Sequence, residues 1–465
     1  MPTTLPPPAT STIRGLLWPG IPSARGRTIV SLLYQFERSE WWPADEIQAN
    51  QFRQLGRLLA HACGTVPYYR ERLKTWKIAD PGKITPEEWM TLPTLRRQAI
   101  QAAGRGLYSD SVPRAHGQVS PIHTSGTTGR PIRALRTELD GVFWSAFTLR
   151  DHLWHGRDLS GKLAVVRRHG KDEDPYPDGS TSRQWGTSSL VFRTGPAVSL
   201  NINCTVAEQV DWLQRQDPDY LLTHPTNLYR LASYCIDNKV RLPKLRQAQT
   251  IAEVVRPEVR EACRAAWDVD LADIYTGREV GYLALQCPES GDYHIQSEGA
   301  LVEVVDGDGR ACGSGEVGRV LVTPLHGFAM PLIRYEIGDQ AEVGAPCPCG
   351  RGLSVLKRIL GRQQDMVALP NGEKRWTLLS TGNIENFLEI APVRQYQFVQ
   401  KDLKTIEIRL AVERDLTESE RKGLRAWVVS TLDHPFTVEF SFVDEIPRTP
   451  AGKYRDFVSE IEPAP

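Results

Sequence analysis

Residues 124–130 read Thr-Ser-Gly-Thr-Thr-Gly-Arg, two glycines and four hydroxyl residues in seven positions. Gly126 and Gly129 let the backbone curl so that successive N–H groups converge, and the hydroxyls of Thr124, Ser125, Thr127 and Thr128 add donors. That chemistry suits a polyphosphate. It is not the GxxxxGK[ST] phosphate loop, because Arg130 closes the segment and Pro131 follows; the alternative is a flexible Ser/Gly loop. In YTGREVG (275–281), Glu279 could hold a magnesium ion, and Tyr275, beside Thr276, could stack on a base. The plainer reading there is a strand-to-helix loop with a solvated glutamate. In PLIRYEIGDQ, Asp339 follows a glycine at a strand end and could accept two hydrogen bonds from a sugar diol, although turn aspartates are common. Lys453 follows Gly452 in a turn that could offer an ammonium to an anion, or simply face solvent.

These residues need a scaffold, and the chain is long enough for two or three domains at 465 residues. Lys plus Arg equals Asp plus Glu at 56 each, which argues against a general nucleic-acid or membrane-surface partner. No apolar run approaches the roughly 20 residues that span a bilayer. Eight scattered cysteines fit reduced thiols in a cytoplasm better than a disulfide framework. The opening MPTTLPPPATST lacks an apolar signal core and reads as part of a flexible tail over residues 1–30.

Residues 45–64 have helical apolar spacing, and Thr85-Pro86 with two glutamates marks another helix start. LAVV and YLLT read as short strands. Between them KDEDPYPDGSTSRQWG is a long polar loop, with the character of a lid. Helical stretches at AEQVDWLQRQ, NLYRLASYCIDN and RPEVREACRAAW then alternate with strands, so the fold class is α/β. From about residue 295 short strands and DGDG…GSGE turns predict a β-rich subdomain. The organisation expected is a large N-terminal α/β domain over 31–360, a hinge at 361–365 and a small mobile α+β C-terminal domain over 366–465.

In order along the chain, TSGTTGRP, Ala252-Glu253, the aromatic-x-Gly-x-Glu element, RYEIGD, GRQQD and PRTPAGK resemble the motif series of adenylate-forming enzymes. Within that superfamily the chain is similar to phenylacetate–coenzyme A ligases, and VPYYRERL…LPTLRRQAI and CPCGR extend the resemblance over nearly its whole length. The resemblance implies that Thr124–Gly129 grip the β- and γ-phosphates of ATP and that Glu279 helps hold Mg²⁺. It implies an adenine pocket near Tyr275, Thr276 and Glu253, a ribose bound by Asp339 near Arg362, and a hinge at Asp365. Lys453 would bridge the substrate carboxylate and the α-phosphate during adenylation, then leave as the C-terminal module swings so that a thiol, normally that of coenzyme A, takes the acyl group. Arg130 stands where lysine is usual and keeps the charge; Arg278 replaces the usual Thr or Ser.

Cys287 and His294, six residues apart in between, and Cys347 and Cys349 in CPCG supply a donor set for a closed tetrahedral zinc site. Relatives carry metal-binding cysteines in matching positions, and the alternative is reduced structural thiols. The acid pocket is expected around Phe143–Trp144, His224–Pro225 and Ala252–Glu253, with Tyr275–Thr276 at its floor. Trp144 and His224 favour a flat aromatic acid, unless Trp144 belongs to a helix core. The expected function is therefore activation of a small carboxylic acid as acyl-AMP and transfer to coenzyme A. Two alternatives stand beside it: transfer to an amine, another small nucleophile or a carrier-protein thiol in secondary metabolism, or a catalytically silent nucleotide-binding protein, against which Lys453 speaks. Relatives often dimerise, so a homodimer remains open.

Overall fold

The structure, a computed structural model, describes residues 8–76, 78–123, 132–167, 173–362, 366–370, 374–376, 387, 390–432, 434–447, 455 and 457–461. It divides into two compact units, one of residues 1–254 and 263–360, the other of 361–465 with the segment 255–262.

The first unit is built on a twelve-stranded sheet. At its heart Asp270–Gly277, Gln247–Ile251, Tyr220–Thr223, Leu163–Arg167 and Ala197–Asn201 run parallel in that spatial order. Ala164, Val166, Leu200, Leu221, Ala248 and Ala272 are almost wholly buried. Strands covered on both faces read as continuous apolar runs rather than alternation, which is why LAVV and YLLT announce themselves. Helices form where expected at Ala44–Thr65, Val206–Gln216, Pro225–Asp237 and Pro257–Trp267. Thr85 and Glu88 close a capping box around the start of Pro86–Thr91, and Thr137 with Asp140 does the same for Glu138–Trp154.

Past Asp270–Gly277 the sheet continues through Gly281–Gln286, Tyr293–Ile295, Val355–Arg362, Tyr335–Val343, Val317–Pro324 and Ala300–Val305. Hairpin pairings dominate this half, as the turn-rich sequence after residue 295 predicts. The second unit carries a four-stranded sheet, in the order Thr437–Phe442, Thr405–Val412, Val393–Gln400 and Phe457–Ser459, with the helix Glu418–Leu432. Phe387, Phe398, Ile408, Leu424, Trp427 and Val428 form its core. The fold class is thus mixed α/β with a small α+β C-terminal unit.

Two expectations need correction. Residues 8–30 are not a loose tail. Thr10 N–H donates to the Val191 carbonyl at 2.8 Å, Arg193 N–H donates to Pro8, and a helix runs from Ala24 to Ser39. Glycines permit the contact: a Cβ on Gly20 would lie 2.2 Å from the Ala9 carbonyl oxygen, and one on Gly26 2.2 Å from that of Leu190. Likewise the described part of the polar loop before residue 186 is tied down rather than lid-like. Ser180–Ser182 pairs with Ala197–Asn201, and buried Trp185 donates from Nε1 to the Gly161 carbonyl at 3.0 Å.

A buried ionic network fastens the helix Ala24–Ser39 to Glu138–Trp154. The Arg150 guanidinium donates to the Phe36 carbonyl at 2.7 Å, to Gln296 at 2.8 Å and to both oxygens of Glu298. Nearby His152 is fully enclosed, and burial drags its pKa down to about 3; burial takes His326 to about 4. Both imidazoles fold neutral while the unfolded chain binds their protons near pH 6.5. Stability from these residues is present above that pH and is lost progressively between about 6.5 and 3. Denaturant midpoints measured across that window should fall as pH falls, and a flat profile would contradict the burial of both rings.

Candidate active site

The segment YTGREVG is not a strand-to-helix loop. It is the tight end of an antiparallel hairpin, Gly277 opposite Gly281, with Arg278, Glu279 and Val280 at the tip. Gly281 takes φ +91°, a conformation that side-chain-bearing residues rarely adopt. Thr276 lies opposite Tyr282, where the register shifts.

Two hydrogen bonds bind this hairpin to RYEIGD. Tyr275 Oη donates to Asp339 Oδ2 at 2.8 Å, and Tyr335 Oη donates to Glu279 Oε1 at 3.1 Å. The candidate base-stacking, ribose-binding and magnesium-binding residues therefore belong to one constellation. Tyr335 is wholly buried and was not singled out from sequence, although it lies inside the motif that was. The other oxygen of Glu279 makes no hydrogen bond among the described residues, which leaves it free for a cation.

RYEIGD is itself braced. Arg334 has φ +49° and forms an ion pair with Glu303 at 3.0 Å, the two side chains being 3% and 11% exposed. Its guanidinium also donates to the carbonyls of Leu92 at 2.6 Å and Met90 at 3.1 Å. Leu95 N–H donates to Arg334 O, and Glu336 N–H donates to Leu95 O. The LPTL segment is thus a splint for the motif.

Ala252 and Glu253 stand elsewhere in the unit's strand-end region. Ala252 has φ +75°, an unusual backbone state for a residue with a Cβ. Glu253 Oε2 accepts from the N–H of Thr226 at 3.1 Å and its hydroxyl at 2.7 Å, pinning it to the start of Pro225–Asp237. His224 is buried at the same helix start, its Nδ1 3.0 Å from the Ile251 carbonyl.

Glu279 opens onto a cleft whose aromatic walls include Phe143, Trp144, Phe147, Tyr282 and His326. Trp144 meets Tyr282 edge-on at 4.7 Å, and Phe143 stacks on His326 at 3.9 Å. Tyr282 Oη lies 3.0 Å from Thr148 Oγ1. Of the residues expected in an acid pocket, Phe143 and Trp144 line this cleft; His224, Glu253, Tyr275 and Thr276 do not. Arg136 and Asp140 complete its polar side and were not foreseen. Burial lowers the Arg136 pKa against the upward pull of Asp140 and Glu279.

The expected phosphate-gripping residues Thr124, Ser125, Gly126, Thr127, Thr128 and Gly129, together with Lys453, Asp365 and the side chain of Arg362, lie outside the described residues.

Cys287, His294, Cys347 and Cys349 converge, their ligand atoms all within 4.8 Å of one another. Cys347 Sγ is 3.8 Å from Cys287 Sγ, and Cys349 Sγ is 3.3 Å from His294 Nε2. Ligands at about 2.3 Å around a tetrahedral zinc are separated by about 3.8 Å, so the spacing fits that ion. Nε2 points at the thiols, while the buried Nδ1 has no hydrogen-bond partner among the described residues; Trp154 meets the ring edge-on at 5.7 Å. Burial raises the thiol pKa of Cys287, but bonds from His294 and Ser290 outweigh it and bring it to about 6. Burial instead takes Cys349 to about 11; a bound dication would strip both protons. Arg351 ties the cysteine loop to the N-terminal helices by an ion pair to Glu40 at 3.1 Å, with its guanidinium over Trp154.

Comparison with known proteins gives four findings. A family model for the CapK C-terminal domain matches residues 373–460. Protein CapK of Staphylococcus aureus is 25% identical over 262 residues, 54% of this chain and 55% of its own length, so the match spans about half of that relative. The phenylacetate-coenzyme A ligase of Thermus thermophilus is 27% identical over 347 residues, 73% of this chain and 75% of its own. Among solved structures, 2-hydroxyisobutyryl-CoA ligase in the postadenylation state shares the fold with a TM-score of 0.69 at 18% identity, covering 91% of this chain and 92% of its own.

Two substitutions probe the site. Tyr335→Phe removes one hydrogen bond to a carboxylate and should cost about 1–2 kcal/mol in urea unfolding with the fold retained; an unchanged midpoint would show that the hydroxyl holds nothing. Cys347→Ser should lower zinc content and melting temperature together, with elemental analysis of the purified protein as the deciding measurement.

Proposed function

This chain belongs to the adenylate-forming superfamily, and on that premise we propose that it activates a carboxylic acid with ATP and passes the acyl group to the thiol of coenzyme A. The observation that carries the proposal is the pairing of Tyr275 with Asp339 and of Tyr335 with Glu279 beside an aromatic cleft. It sets a diol acceptor and a cation ligand on one rigid frame, within reach of a pocket for an acyl group.

In the first half-reaction a carboxylate oxygen attacks the α-phosphorus, the bond to the bridging oxygen breaks, and pyrophosphate departs with that electron pair. Asp339 would hold the ribose hydroxyls with its orientation set by Tyr275. Glu279 would ligate Mg²⁺, which neutralises charge on the departing phosphates. Thr124–Gly129 would supply backbone and hydroxyl donors to the phosphates, and Lys453 an ammonium to the α-phosphate, where charge builds. In the second half-reaction the thiol attacks the acyl carbon and AMP leaves; Asp365 is the proposed hinge between the two.

The acid is proposed to be aromatic. Phe143, Trp144, Phe147 and Tyr282 offer flat apolar surface, and His326, held neutral by burial, adds to it without charge. The cysteine–histidine cluster is proposed as a structural zinc site: four protein donors leave no open position for chemistry.

Pyrophosphate release from ATP–Mg²⁺ should depend on an aromatic acid, and mass spectrometry should find its thioester when coenzyme A is present. Release without a thioester would move the acceptor to an amine or carrier thiol; no release across a broad acid panel would refute the activity. Lys453→Ala should slow adenylate formation on the order of a hundred- to a thousandfold while sparing thioester formation from supplied adenylate. Equal loss in both steps would remove Lys453 from the assigned role.

A further inference from the structure

The one charged group in the aromatic cleft whose task the scheme above leaves open is Arg136. It sits on the strand Arg133–Thr137, and its guanidinium carbon lies 5.5 Å from the centre of the Trp144 ring. Two carboxylates share the cleft with it, and neither is paired with it. Asp140 Oδ2 accepts from the Thr137 N–H at 2.7 Å and from its hydroxyl at 2.9 Å, closing the helix cap. Glu279 accepts from Tyr335. Arg136 itself makes no hydrogen bond or ion pair to any described residue, only the aromatic contact and longer-range attraction to those two acids.

The Arg136 guanidinium is only partly buried and its planar fork of donors faces solvent within the cleft, so an arriving anion can take them in place of water. The guanidinium pairs best with a planar two-oxygen anion, which it holds bidentately. Its neighbours narrow the occupant. Trp144 and Phe143 flank it with flat apolar surface, so the anion belongs to a molecule with an aromatic body. Tyr275 and Asp339, the proposed nucleotide contacts, are not in the cleft lining, which places Arg136 on the acyl side of Glu279.

We propose that Arg136 recognises a second carboxylate on the acid substrate, remote from the one that reacts, so that the preferred substrate is an aromatic dicarboxylic acid. The inference deepens the activity proposed above and rests on it, but its test is a binding measurement that needs no turnover. The full-length protein is titrated calorimetrically with two matched probes, phenylacetate and 4-carboxyphenylacetate, in the wild type, Arg136→Gln and Arg136→Lys. The di-acid should bind the wild type about a hundredfold more tightly than the mono-acid. Arg136→Gln should abolish that preference. Arg136→Lys, which keeps the charge but not the fork, should recover part of it and guards against a folding defect in the glutamine variant.

Equal affinity of the wild type for both probes would overturn the inference. So would a loss of ATP–Mg²⁺ affinity in Arg136→Gln with acid preference unchanged, which would assign the guanidinium to the nucleotide. Pyrophosphate release is recorded separately: its absence, with the Arg136-dependent preference intact, would refute acid activation and leave the recognition of a dicarboxylate standing.

Discussion

The site depends on where residues 334–339 are held. Arg334 occupies a left-handed backbone conformation that a residue with a Cβ rarely adopts by itself. It is kept there by a buried ion pair to Glu303, by carbonyls of the Met90–Leu92 segment and by backbone bonds on either side of Leu95. Breaking one member of such a pair leaves an uncompensated buried charge, at a cost of roughly 3–5 kcal/mol. The chain direction fixed at Arg334 sends the Tyr335 ring into the core and, four residues on, delivers Asp339 to Tyr275. The pairing of the two motifs runs antiparallel, the first residue of one meeting the last of the other.

Around that frame the cleft separates its charges from its apolar surface. The aromatic walls come from the helix Glu138–Trp154 and from the strand Gly281–Gln286, with His326 stacked on Phe143. His326 can serve as wall because burial keeps it neutral at physiological pH, and its Nε2 is within 3.0 Å of the Glu298 carbonyl. Glu298 in turn belongs to the Arg150 network that anchors the N-terminal helix. The same helix region reaches the cysteine cluster through Glu40 and Arg351. One set of buried charges thus supports both the cleft and the proposed zinc site, so that disturbance at either should propagate to the other through packing rather than through chemistry.

Local signals were reliable for elements: apolar runs became parallel strands, and Thr85 became a helix cap. They misled where a segment's partner lay far along the chain. The proline-rich opening has no apolar pattern of its own, yet it is held by backbone bonds to residues 191 and 193. His224 has the composition of a pocket residue, but its ring is spent on the Ile251 carbonyl.

By itself the sequence determined the fold class, the order of the motifs and the four residues of the cysteine–histidine cluster proposed to hold zinc, because each of these is written in residue type and spacing. Tertiary structure alone decided that Tyr335 orients Glu279, that Tyr275 meets Asp339, and that Arg136 lines the cleft without a hydrogen bond to any described residue. Those facts rest on side chains about 60 residues apart in the chain, Tyr275 to Asp339 and Glu279 to Tyr335, which meet where the end of one hairpin lies against a strand that is not its neighbour in the sheet. Strand order and register set such meetings, and no local periodicity encodes them.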